Sequence, residues 1–208
     1  MTTDTRLPRR AVGLAAFTIG YNVLEGLVAV FAGVVAGAVS LIGFGLDSAI
    51  EVASAVVVLV RLRAELRGAE PDEAKEKVAL RFISVTFFAL ALYLVVDGIR
   101  SLAVGERPDI SVAGIVLTGA SIVVMPLLAW VKMRTGRAMG SLLVMADAAE
   151  TRLCAWLSVS TFAGLLAYAL VGWTWLDAVA GFVIAIFAIM EGREAWEAEL
   201  VEDHHSHS

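Results

Sequence analysis

Long apolar runs separated by short charged segments organise this chain. Lys and Arg are absent from Ala11 to Val60, and the only charges in that block are Glu25, Asp47 and Glu51. A helix that crosses a bilayer needs about 20 apolar residues. The block therefore predicts two such helices, at 11–34 and 38–60, with a small-residue turn around Gly33, Ala36 and Gly37. The same reading predicts spans at 80–103, 111–131, 142–171 and 173–191. The fourth carries no charge, and Leu153–Leu176 is also uncharged. The sixth has the shortest uncharged run, Ala178–Met190, and Trp173 and Trp175 would extend it as an interfacial anchor. The expected fold class is all-α: a polytopic membrane protein of six transmembrane helices. Residues 1–10 would form an N-terminal segment, 11–192 the transmembrane domain and 193–208 a short acidic, His-containing tail.

Composition supports the class. Of 208 residues, 59% are apolar and 18% charged, against about 45–50% and about 25% in a soluble domain. Mean hydropathy is +0.82. These values argue strongly against a soluble enzyme, and no HExxH, GxSxG or intramembrane His suggests an enzyme within the membrane. With 16 Lys+Arg against 21 Asp+Glu and no basic face, nucleic acid is not an expected partner. A single Cys allows no disulfide within the chain. The first apolar run is too long for a signal peptide, and Glu25 interrupts it.

The basic residues are lopsided. Arg6, Arg9 and Arg10 precede span 1; Arg61, Arg63, Arg67, Lys75, Lys77 and Arg81 fall between spans 2 and 3. Lys132, Arg134 and Arg137 are read as a basic connection between spans 4 and 5, and Arg193 follows span 6. The other side holds Arg100 and Arg107. By the positive-inside rule both termini should be cytoplasmic, in a multi-pass protein of the cell membrane.

The acids inside the spans carry the chemistry. A charge at mid-bilayer costs about 2.5–3.5 kcal/mol on insertion scales, so such residues are functional candidates. Asp47 and Glu51 are spaced i, i+4 and share a helix face, with Ser48 beside them. Asp147, Glu150, Thr151 and Cys154 follow at i, i+3, i+4 and i+7, a single stripe at about 100° per residue. In span 1, Asn22 and Glu25 are i, i+3. Asp47 and Glu51 facing Asp147, Thr151 and Cys154 would make a four-coordinate cation site, with Asn22, Glu25, Ser48 and Glu150 around it or along a pathway. Alternatively, the acids pair with Arg152 or share protons. Arg152 lies about 140° from Asp147 around the helix, which favours a partner on another span. Asp97 and Asp177 sit near span ends and read as interfacial or capping residues.

These motifs resemble those of the cation diffusion facilitators. AGAVSLIGFGLDSAIEVAS is similar to that family's second-span signature, with Asp47 and Glu51 on its two ligand positions. MADAAETRLCAWLS resembles the fifth-span signature, with Asp147 on the first ligand position and Thr151 where a second Asp is usual. WTWLDAVAGFVIAI resembles the start of the sixth span, including Asp177. The resemblance covers roughly residues 15–195. It implies a divalent metal transporter, with Cys154 or Glu150 standing in for the missing Asp, and no permanent cofactor. Only about 15 residues follow span 6, so a short member lacking the family's C-terminal cytoplasmic domain is expected.

The functional expectation is efflux of Zn²⁺ or a similar transition metal by proton antiport. Lipid, metal ions and protons are the expected partners, and a homodimer is compatible with the layout. The alternatives are a proton-coupled exporter of another cationic substrate, or a non-transporting metal-sensing membrane subunit.

Overall fold

The computed structural model describes residues 6–68, 73–104, 111–172 and 175–205. These form six helices: α1 (Arg6–Ala36), α2 (Val39–Leu66), α3 (Glu73–Val104), α4 (Val112–Met139), α5 (Leu142–Val171) and α6 (Trp175–His205). No strand occurs among the described residues. Trp173, Arg107, the side chain of Asp177 and those of the histidines in the tail lie outside them.

The helices overrun several expected spans. α2 and α3 extend into the charged segment between them, and α4 continues to Met139. Arg134 and Arg137 are therefore on a helix, not in a connection, because α4 and α5 need only two residues between them. Gly140 ends α4 with φ of 66°, a left-handed conformation that glycine adopts without strain. Ser141 then caps α5, its hydroxyl accepting from the Val144 N–H at 3.3 Å.

α1 packs closely on α2 because glycines face each other. A Cβ on Gly26 would stand 3.1 Å from the Gly45 carbonyl oxygen. Small residues of this kind let helices approach within a membrane, where no hydrophobic effect drives them together. α3 packs on α6, with the Ser84 hydroxyl donating to the Gly192 carbonyl at 2.6 Å. Arg81 stacks over Trp196.

The distribution of side chains is inside-out for a soluble protein. Thr18, Asn22, Ser48, Ser54, Thr118 and Ser121 are wholly buried. Leu27, Phe31, Val35, Leu92, Val123 and Leu170 are exposed on the outer faces. Apolar surface this extensive marks contact with lipid. Five of the helices, α1 to α5, contain stretches long and apolar enough to cross a bilayer. The protein is a multi-pass membrane protein.

Contacts fix the helix directions. Ser40 shares a recess with Ser160, whereas Glu51 meets Thr151, so α2 and α5 run antiparallel. Thr86 meets Glu150 and Asp97 shares that recess with Ser160, so α3 runs parallel to α5. The C-terminal ends of α2, α4 and α6 and the N-terminal ends of α1, α3 and α5 consequently gather at one end of the bundle. Of the described basic residues, Arg6, Arg61, Arg67, Lys77, Arg81, Arg137 and Arg193 belong to that end, and Arg100 to the other.

Candidate cation site

α2 and α5 supply the centre of the site. Glu51 Oε1 accepts a 2.6 Å hydrogen bond from the Thr151 hydroxyl. One turn earlier on α2, Asp47 lies within electrostatic reach of the buried Cys154 thiol. Asp147 lies one turn before Thr151 on the same helix face. The structure thus brings Asp47, Glu51, Asp147, Thr151 and Cys154 into one buried region.

Lys132 is also there, which corrects the sequence reading of that residue. It is not a connecting-loop charge but lies inside α4, 1% exposed. Its Nζ stands 2.9 Å from Asp147 Oδ2 and 3.9 Å from Glu51 Oε1. It also donates to Thr151 Oγ1 at 2.8 Å. Because Thr151 gives its proton to Glu51, its oxygen accepts from Lys132 and relays the positive charge to the second acid. A buried ammonium needs such partners, since charge without them is costly away from water. Among the described residues, no three His, Cys, Asp or Glu side chains are grouped closely enough to enclose a metal ion. The Lys132 ammonium lies between Asp147 and Glu51.

The acids are nevertheless incompletely satisfied. Asp47 Oδ2, Glu51 Oε2 and Asp147 Oδ1 are buried without a hydrogen-bond partner. Buried polar atoms are normally paired, so three such oxygens in one region stand out.

The flanking residues divide. Glu25 is buried between α2 and α4. Ser48 donates to its Oε2 at 3.0 Å, and Ser121 hydrogen-bonds to its Oε1. Tyr21 extends this network to Ser121 at 3.0 Å. Asn22 donates to the Thr18 carbonyl at 3.1 Å, and its Oδ1 has no partner. Glu150 turns toward α3, where the Thr86 hydroxyl lies 3.3 Å from its Oε1; its Oε2 is unpartnered. Arg152 pairs with Glu191 of α6, away from the acidic centre. Asp97 lines a polar recess with Ser40, Tyr93, Ser160 and Thr161. Phe44 and Leu157, also in the wall of that recess, lie one turn from Asp47 and Cys154 respectively.

The cation efflux transmembrane domain matches residues 15–198. The chain belongs to the cation efflux family. This is the family that its span-2 and span-5 motifs resemble. It is also 28% identical over 172 residues to an uncharacterized transporter of Methanocaldococcus jannaschii. That alignment covers 79% of this chain and 60% of the relative, so the chain spans less than two thirds of that protein's length.

Within this cation efflux domain, sequence reasoning missed Lys132, Ser121, Tyr21 and Thr86 as neighbours of the acids. A signal for two of them was present. The buried residues of α4 include Gly114, Thr118, Ser121, Met125, Leu128 and Lys132, spaced by three or four. A stripe of that period places Lys132 on the inward face. Chemically, the centre offers carboxylate and hydroxyl oxygens with one sulfur, a donor set suited to divalent transition metals.

Proposed function

We propose that the protein is a divalent metal-cation transporter that exports Zn²⁺ or a similar transition metal in exchange for protons. The three unpartnered oxygens of Asp47, Glu51 and Asp147, buried together at the α2–α5 contact, carry this reading. Asp47, Glu51 and Asp147 are the proposed ligands, completed by Thr151 or Cys154. Carboxylates and thiols must lose their protons to bind a metal, so loading should release protons and unloading should take them up. That alternation couples metal to protons without a histidine.

The test is metal flux in proteoliposomes for Zn²⁺, Mn²⁺ and Cd²⁺, with and without a pH gradient. Metal-dependent flux accelerated by a gradient directed against it supports the reading. Flux indifferent to the gradient would indicate uniport. No flux of any metal would end the proposal. The paired Lys132 favours one second reading, because a centre that holds an ammonium could also hold the amine of an organic cation. Competition of primary amines with Zn²⁺ separates the two.

The basic end of the bundle is proposed to face the cytoplasm. Arg67→Cys, exposed at the end of α2, should resist an impermeant thiol reagent in intact cells and react in inverted vesicles. Labelling from outside would reverse the orientation.

A further inference from the structure

We propose that Lys132 is a tethered competitor of the transported cation, a built-in ammonium that holds the empty centre and is displaced by the metal. The proposal rests on the metal-transport reading above.

The geometry of shared atoms is the first argument. The ammonium contacts Asp147 Oδ2 and Thr151 Oγ1, at 2.9 and 2.8 Å. A transition metal would need to approach those same oxygens to about 2.0–2.2 Å. Two cations cannot use one oxygen pair at these distances, because like charges repel strongly where burial weakens solvent screening. Full coordination by Asp147 and Thr151 therefore requires Lys132 to leave.

The unused atoms are the second argument. Asp47 Oδ2, Glu51 Oε2 and Asp147 Oδ1 are free while the ammonium is in place. An arriving metal can dock on these first and displace Lys132 afterwards, so the charges are never all exposed without a counterion. When the metal departs, the returning ammonium refills the vacated oxygens and opposes rebinding. A tethered cation thereby weakens equilibrium affinity and favours release.

Withdrawal would run toward the end of α4. Lys132 lies seven residues before the end of α4 at Met139, about 10 Å along the axis. Its long stem allows the head to move toward that end, as lysines near membrane interfaces do. Pro126 interrupts the hydrogen bonding of α4 less than two turns before Lys132, which gives the second half of the helix a place to pivot.

The experiment compares the full-length protein with K132M, K132Q and K132R. Zn²⁺ binding is read by calorimetry, and half-saturation and maximal flux are read in proteoliposomes. K132M and K132Q should tighten Zn²⁺ binding by at least about 10-fold and lower the maximal flux. K132R, which keeps the charge, should not tighten it. Glutamine retains a donor to Asp147, so K132Q decides the matter if K132M does not fold. Unchanged or weaker Zn²⁺ binding in K132Q would overturn the proposal, as would equal tightening in K132R, which would indicate packing and not charge. Wild-type protein that neither binds nor moves Zn²⁺ would overturn the transport reading and this inference together. Wild-type flux with an unchanged K132Q affinity would overturn this inference alone.

Discussion

Two of the buried acid groups in this bundle are built differently. Glu25, between α1, α2 and α4, has both carboxylate oxygens hydrogen-bonded by serines. Asp47, Glu51 and Asp147, at the α2–α5 contact, each keep one oxygen without a partner. The first group is complete within the protein. The second is balanced in part by Lys132 and keeps oxygens without a partner. Buried polar groups that are fully paired serve to hold helices in one arrangement, whereas unpaired ones are costly unless a ligand uses them. The contrast therefore separates an acid paired within the protein from the acids proposed above to receive a cation.

That contrast can be broken most sharply at its open side. Asp47→Ala or Asp147→Ala should reduce metal flux by at least about 100-fold, with protein still recovered from the membrane. Wild-type flux in both variants would remove the distinction. Glu25→Gln should act more gently, with a loss of about 10-fold or less, because an amide still fills the space between Ser48 and Ser121. A loss equal to that of Asp47→Ala would move Glu25 into the binding group.

The other two tests sharpen it. Cys154→Ser should lower Cd²⁺ and Zn²⁺ flux several-fold more than Mn²⁺ flux, because a thiolate prefers the softer ions. Equal effects on the three metals would leave Cys154 a packing residue. Arg152→Ala should change least, with stability shifted by less than about 1 kcal/mol and flux retained. Its side chain is half exposed and paired with Glu191, outside the acidic centre. A large flux defect there would tie the α5–α6 ion pair to transport.

The contrast also explains what the sequence could disclose. Membrane helices announce themselves because lipid demands long apolar runs, and the acids of α2 and α5 stand out within them. The end of α4 was harder to read. Lys132, Arg134 and Arg137 look alike as a basic cluster, yet the two arginines are exposed and the lysine is buried. Rotation about the helix separates them, and charge counting ignores rotation. Glu150 posed a related problem. It and Thr151 flank Asp147 on opposite sides, at about 60° and 40°, so one stripe faces two neighbouring helices. Which acid meets α2 and which meets α3 is decided by packing, and Thr86 on α3 gave no separate sign. The serines around Glu25 were similarly silent, since Ser121 reads equally well as a small packing residue.

The two-residue turn between α4 and α5 has a consequence for biogenesis. Released singly into hydrocarbon, α4 would carry Lys132 and α5 would carry Asp147, each at a cost of about 2.5–3.5 kcal/mol on insertion scales. Gly140 and Ser141 hold the two helices so close that Lys132 and Asp147 are opposite each other as soon as the hairpin closes. The two helices can therefore enter the bilayer as one hairpin with this one pair of charges already matched. Lengthening that turn should delay integration of α4 and α5 during synthesis, even where the finished bundle is unchanged.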